Sequence, residues 1–301
     1  MRLKMLLSVV VVTAFTAGPA LAQELTGTLK KIKEIGAITL AHRESSVPFS
    51  YYDDKQEVVG YAMDLCHRIV DGVKKELNLP NLGVQLNPVT SATRIPLMAN
   101  GTVDLECGST TNNLERQKQV SFTITHFVTA NRFVSKKSAN LKTVDDLKGK
   151  TIASTSGTTN IKQITEIGAQ KGLNLNILAA KDHAEAFLMV ETGRAAAFVM
   201  DDILLYSLVA GSKSPQDYVI SADALSVEPY GIMLRREDAP FKKVVDETMI
   251  ATYRGGAINA IYDKWFLKPI PPRGINLNVP MSDAFKKVIT SPTDSGDPAV
   301  Y

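Results

Sequence analysis

The sequence predicts an open α/β fold with mainly parallel sheets, built twice along the chain. Three observations carry this. From residue 37 onward, apolar runs of strand length alternate with amphipathic helical stretches. The alternation restarts after Lys136. Each unit contains a glycine-hydroxyl loop after a strand, CGSTTN at 107–112 and TSGTTN at 155–160. Open parallel sheets bind ligands beyond the carboxyl ends of their strands. Each loop is expected to open a helix.

AITLAH (37–42) is a strand. YAMDLCHRIVDGVKKELN (61–78) repeats apolar residues at Leu65, Ile69, Val73 and Leu77, one face of a helix. GVQLNPV (83–89) is a strand and SATRIPLMANG (91–101) a short helix, with Ser91 its N-cap and Gly101 its stop. TVDLEC (102–107) returns as a strand. In the second unit LKTVDDLKGK (141–150) is a polar, helix-like connector. TIAST (151–155), LNILAA (175–180), AAAFVM (195–200) and PYGIMLRR (229–236) are strands. SGTTNIKQITEIGAQKG (156–172), KDHAEAFLMVETGR (181–194) and DDILLYSLVA (201–210) supply the helices. A final helix covers 241–266 with a break at Gly255 and Gly256, and the Pro- and Gly-rich tail from Pro269 wraps the surface.

At 301 residues, 45% hydrophobic and 22% charged, the chain can bury a sizeable core in one or two domains. Residues 1–22 combine a basic start, an apolar run and a small-x-small ending. They are expected to be a signal peptide cleaved after about Ala22. The apolar run is too short to span a membrane comfortably. No cysteine follows the cleavage site, which argues against a lipid anchor. Loss of Arg2 and Lys4 with this leader takes the net charge from +3 to +1. That excludes nucleic-acid binding by charge. Export permits disulfides, but spacing does not decide whether Cys66 and Cys107 pair or are buried separately.

Glycine, hydroxyls and free N–H groups at a helix start favour an anion. One such loop is more often a plain capping cluster; two at matching places are less easily so explained. Phosphate-loop and dinucleotide motifs are absent, as is the Gly-x-Ser-x-Gly elbow of a serine nucleophile. His42, His67, His126 and His183 are scattered, and no metal spacing is present. No cofactor or metal is expected. A small carboxylated ligand remains. Arg43 follows the first strand directly, Arg94 lies in the first turn of a helix against its dipole, and Arg116 follows the first loop. Each alone is more often a surface residue. Together they suggest more than one carboxylate to grip. Asp201, ending a strand beside Asp202, could take an ammonium or cap a helix. His183 begins a helix in the other unit.

These residues resemble the periplasmic solute-binding proteins of polar amino-acid ABC transporters. HRESSVPFSYYDD, TSATRIPLMANGTVDLECGSTTNNLERQ, TSGTT, AKDH, FVMDD, YGIMLR and IYDKWFLKPIPP carry the resemblance, which runs from about Leu29 to Pro272. It implies a type II periplasmic-binding-protein fold, two α/β lobes hinged by two crossover strands near 129–134 and 226–231. Residues 23–131 and 229–301 would form lobe 1 and 132–228 lobe 2. It implies an acidic amino acid, glutamate or aspartate, as ligand. Ser109, Thr111 and Arg116 would hold the α-carboxylate and Asp201 the α-ammonium. Arg43, Arg94, Ser91, Thr159 and His183 would surround the side-chain carboxylate, with Thr158 nearby. It further implies a monomer in the periplasm that serves an inner-membrane permease and performs no chemistry. His126 and Phe127 depart from the family pattern near the crossing, and His126 is not expected to be a ligand group. The resemblance supplies no disulfide pattern. The alternatives are a binder of a neutral amino acid such as glutamine, or a dehydratase of prephenate-like acids on the same fold. That enzyme would need an acid or base, for which only His183 and Glu44 present themselves. A sensor domain finds no signalling module in the sequence.

Overall fold

The structure, a computed structural model, describes residues 24–301; the expected signal peptide lies outside them. α1 (Gly27–Ile35) leads into β1 (Ala37–His42), and β2 (Ser45–Ser46), β3 (Ser50–Tyr52) and β4 (Val58–Val59) form a small antiparallel sheet. Next come α2 (Tyr61–Leu77), β5 (Gly83–Pro88), α3 (Arg94–Ala99), β6 (Leu105–Glu106) and β7 (Val120–Phe122). The chain crosses through β8 (Phe127–Lys136) into β9 (Thr151–Thr155), α4 (Thr159–Gln170), β10 (Asn176–Ala180), α5 (His183–Glu191), β11 (Ala197–Asp201), α6 (Asp202–Gly211) and β12 (Tyr218–Ile220). It returns through β13 (Ser226–Tyr230) to β14 (Met233–Arg235), α7 (Ala239–Arg254), α8 (Ala257–Tyr262) and α9 (Asp283–Thr290).

The first sheet has the order β5-β1-β6-β14-β7, with β5, β1 and β6 parallel and β14 antiparallel to its neighbours. The second runs β10-β9-β11-β8-β12, with β10, β9 and β11 parallel and β8 antiparallel to β11 and β12. β8 and β13 pair from Phe127↔Tyr230 to Asn131↔Ser226, so the outgoing and returning chains form one antiparallel ribbon between the sheets. Such a ribbon bends at few positions, which suits hinge motion.

Where expectation and structure differ, backbone geometry explains it. PYGIMLRR is two strands, because up to Tyr230 it pairs with β8 of the ribbon, whereas Met233–Arg235 pair with β6 and β7 of the first sheet. The strand in TVDLEC is reduced to Leu105–Glu106. The connector at 141–150 contains one turn of 3-10 helix, Val144–Leu147, closed by a Thr143–Asp146 capping box. The break after α7 falls at the expected glycines, Gly256 adopting φ 73°. The tail does cover the surface, with Ile270 bridging Ile275, but it also forms α9, capped by Ser282 and anchored by buried Phe285 and Val288.

Cys66 of α2 and Cys107 after β6 are joined by a disulfide, which ties that helix to the start of the CGSTTN loop. At the foot of the ribbon, Phe127 stacks on Phe266 at 5.0 Å, and Phe49 meets Tyr230 at 5.2 Å. Each such pair adds roughly 0.5–1.5 kcal/mol beyond its buried area. His126 is buried in this cluster, its ring nitrogens unpartnered among the described residues and its pKa lowered to about 3 by burial. It is a core residue.

Candidate functional site

Arg43 leaves β1 with its backbone N–H donating to Ser50 Oγ at 2.9 Å. Its side chain is 2% exposed and donates from Nη2 to Ser91 Oγ at 2.9 Å. Ser91 is therefore not the cap of α3. That helix starts after Thr93 without a side-chain cap, and Thr90 and Thr93 satisfy one another's N–H groups at 3.0 and 3.2 Å.

Arg94, the first residue of α3, is equally buried. Its Nη1 donates to the Ser109 carbonyl at 3.3 Å and to Thr110 Oγ1, which in turn donates to Glu106 Oε2 at 2.5 Å. Glu106 Oε1 lies 3.8 Å from the same Nη1. A cation at a helix N-terminus works against the helix dipole, so this local placement needs compensation, and Glu106 supplies part of it.

The CGSTTN loop does not open an α-helix. Thr111 bridges to Tyr230, and Arg116 begins a single 3-10 turn, Arg116–Lys118. The loop is spent on the Tyr230 strand and on the arginine. Arg116 Nη1 holds the Thr111 carbonyl at 2.8 Å, and Nη2 reaches the Gly157 carbonyl of the second unit at 3.3 Å.

The TSGTTN loop does open a helix. Thr158 Oγ1 caps α4 by accepting from the Ile161 N–H at 3.3 Å, and Thr159 Oγ1 donates to Glu228 at 3.0 Å. His183 begins α5, whose cap is Asp182, and its Nδ1 is 2.8 Å from Thr155 Oγ1. Asp201 does not cap α6 with its side chain. It accepts from Asn160 Nδ2 at 2.7 Å and from the Tyr230 hydroxyl. Asp202 is instead tied to the ribbon, through Thr129 and through Arg132 Nε at 3.1 Å.

The expected site residues converge. Burial lowers the pKa of Arg43 to about 9 and that of Arg116 to about 10, and in both cases Arg94 is the next cause. The Arg94 charge is thus felt by both of the other guanidiniums. His183 is held well below its ordinary pKa by burial, then by Arg43 and Arg94, so its imidazole is neutral at neutral pH. Asp201 is raised to about 7 by burial, with the Glu228 charge next. One side of the site is therefore electropositive and the other carries two crowded carboxyls.

Five buried polar atoms here have no hydrogen-bond partner among the described residues: Arg43 Nη1, Arg94 Nε, Glu106 Oε1, Ser109 Oγ and His183 Nε2. Buried polar groups are ordinarily paired, and each one left unpaired costs about 1–3 kcal/mol. Such a cluster suits a polar ligand. The two units also touch across it. Gly157, at φ 76°, packs on Ala92 so closely that a Cβ would lie 2.5 Å from the Ala92 Cα.

Sequence reasoning missed Glu106, Glu228, Asn160 and Tyr230. Glu106 had a signal, a carboxylate in a strand otherwise read as buried. The other three act through tertiary pairing that no local pattern carries. Among the described residues, no group of three or more His, Cys, Asp or Glu side chains could hold a metal ion.

Comparison with known proteins places this geometry. The L-glutamate/L-aspartate-binding protein of Pseudomonas aeruginosa is 56% identical over 290 residues, 96% of each chain. The glutamate/aspartate import solute-binding protein of Escherichia coli is 45% identical over 298 residues, 98% of this chain and 99% of its own. The solved structure of an ancestral arginine-binding protein bound to arginine superposes with a TM-score of 0.69 at 25% identity, covering 77% of this chain and 98% of that one. The family model for bacterial extracellular solute-binding proteins, family 3, matches residues 38–268, most of the chain, and the chain belongs to that family.

Proposed function

We propose that the protein captures an acidic amino acid, glutamate or aspartate, in the cleft and delivers it to an inner-membrane ABC permease. The observation that carries this is the buried set Arg43, Arg94 and Arg116, with unpartnered polar atoms on Arg43, Arg94, Ser109 and His183. Buried guanidiniums that nearby carboxylates compensate only in part favour a bound counter-ion. A neutral amino acid brings one carboxylate and occupies one guanidinium; a dicarboxylate occupies more. The names of the relatives from Pseudomonas aeruginosa and Escherichia coli point the same way.

Arg116, Thr111 and Ser109 take the α-carboxylate. Arg43, Arg94, Ser91 and His183 surround the side-chain carboxylate, which requires His183 to carry its proton on Nε2. Asp201 takes the ammonium. The hydroxyls of Thr158 and Thr159 are committed elsewhere, so their part is to present the N-terminal N–H groups of α4. Lobe 1 comprises residues 23–131 and 229–301, and lobe 2 residues 132–228. The ligand docks on one lobe, and its contacts with the other hold the closed form. A micromolar site needs about 8 kcal/mol net, and each charged hydrogen bond contributes roughly 1.5–3 kcal/mol, so this set suffices after desolvation and ordering. The mature protein acts as a periplasmic monomer.

Calorimetry with glutamate, aspartate, glutamine and asparagine tests the proposal. Glutamate or aspartate should bind at micromolar affinity or better. Glutamine binding as tightly as glutamate would overturn the dicarboxylate assignment.

A further inference from the structure

The family match ends at residue 268, yet the chain beyond it returns to the binding site. α9 is anchored in the core by Phe285 and Val288, so the segment after it starts from a fixed point. The Thr293 carbonyl accepts from the Thr125 N–H at 2.8 Å. The Asp294 carbonyl accepts from Asn112 Nδ2 at 2.8 Å and from Gln117 Nε2 at 2.9 Å. Gln117 Nε2 also donates to Asn112 Oδ1 at 2.9 Å. Gly296 lies against the loop backbone, where a Cβ would fall 2.7 Å from the Asn113 carbonyl carbon. Tyr301 closes the segment, its hydroxyl 2.7 Å from Thr125 Oγ1 and donating to the Ser295 carbonyl at 2.8 Å.

The residues so held bracket the anion-binding groups. Asn112 follows Thr111 directly and is itself fixed to the returning ribbon strand, its N–H donating to the Pro229 carbonyl at 2.7 Å. Asn113 Oδ1 accepts from the Arg116 N–H at 2.8 Å. Gln117 follows Arg116. The segment touches both sides of the Arg116 turn without presenting a side chain to the cleft residues.

We propose that residues 293–296 are a positioning clamp for Thr111 and Arg116, setting ligand affinity from behind the site. Because these two groups face the end that all amino acids share, loosening the clamp weakens every amino-acid ligand by a similar factor. The proposal rests on the acidic-amino-acid reading for its probe.

The test uses the mature protein and two variants, Gly296→Ala, which wedges the clamp from the loop, and Gln117→Met, which removes a donor to Asp294 at a half-exposed position. Calorimetry with L-glutamate and L-aspartate should show at least tenfold weaker binding for Gly296→Ala and a smaller loss for Gln117→Met. The glutamate-to-aspartate ratio should stay unchanged. Amide hydrogen exchange on the ligand-free variants should quicken at residues 112–117 while the sheets keep their protection. A lowered melting temperature with unchanged affinity and unchanged loop exchange in both variants would overturn the clamp, leaving the segment a mere structural brace. If the unsubstituted protein binds neither amino acid, the functional reading fails. Exchange then decides alone: faster exchange confined to 112–117 supports the clamp, and faster exchange spread over the lobe overturns it.

Discussion

CGSTTN and TSGTTN are nearly the same string, one in each lobe, and the fold uses them in opposite ways. In the first, Thr110 is engaged by Arg94 and Glu106, but Ser109 Oγ has no partner among the described residues and the chain runs on to Arg116 without forming an α-helix. In the second, all three threonine hydroxyls are engaged: Thr158 caps α4, Thr159 binds Glu228, and Thr155 meets His183. The glycines differ too. Gly108 faces the end of a side chain, Glu106 Oε1, which an added Cβ would strike, whereas Gly157 faces the backbone of the other lobe. A glycine-hydroxyl loop is thus not one device. The first leaves a buried serine hydroxyl without a partner among the described residues, which on the proposed function faces the ligand; the second builds a helix start and a close inter-lobe contact.

On the proposed assignment Arg94 faces the side-chain carboxylate, so the largest effect is expected from Arg94→Met. Removing one member of a buried charged contact costs about 2–5 kcal/mol. Glutamate affinity should fall roughly a hundredfold or more, measured by calorimetry, and glutamine affinity far less. Equal losses would mean that Arg94 does not read the second carboxylate.

The two glycines separate the loops next. Gly157→Ala faces a backbone atom and must also adopt φ 76°, which costs a residue with a Cβ roughly 1–2 kcal/mol. It should weaken glutamate about 10- to 100-fold by obstructing closure, and small-angle scattering should show less compaction on adding ligand. Around Gly108→Ala the nearest atoms belong to side chains, Glu106 and Arg43, rather than to backbone, so its loss should be several times smaller. The reverse order would put the inter-lobe contact at the first loop.

Much of this was legible in the chain. β1, α2 and α4 carry clear periods, and the three arginines stand out together by following strand ends and a glycine-hydroxyl loop. The strands β2, β3 and β4 have two or three residues each, too few for any period. α9 hid in a Pro-rich tail, although Ser282 followed by Phe285 and Val288 is a cap with one apolar face. Ser91 looked like a cap because serine before a helix usually is one; its partner, Arg43, is distant in sequence. The division of labour between the loops could not be read, since it depends on Arg94, Glu228 and His183 arriving from elsewhere.

Across the cleft from the first loop, Asp201 gives the comparison a pH dependence. Its pKa stands at about 7 through burial and the Glu228 charge. A bound ammonium favours the ionised carboxyl, so ligand lowers that pKa. Above pH 7 the carboxylate is already ionised and affinity is flat. Below it a proton must leave on binding, and each pH unit weakens binding by up to about tenfold. Calorimetry at about pH 8 and pH 6 should therefore show affinity falling toward acid, with the slope lost in Asp201→Asn. Affinity rising toward acid would remove Asp201 from the ammonium site.

The smallest effects fall on single hydroxyls, and they should split cleanly between stability and binding. Thr158→Ala removes the cap of α4, worth about 1 kcal/mol. For a chain of this size that lowers the melting temperature by about 2–4 °C, while affinity stays within about twofold because Thr158 Oγ1 is already donating to the Thr155 carbonyl at 2.7 Å. Ser109→Ala removes an oxygen with no hydrogen-bond partner among the described residues, so folding gains relief from a buried unpaired group. Its melting temperature should hold or rise, and glutamate affinity should drop several-fold. A Ser109→Ala protein that melts lower and binds normally would make the first loop structural like the second.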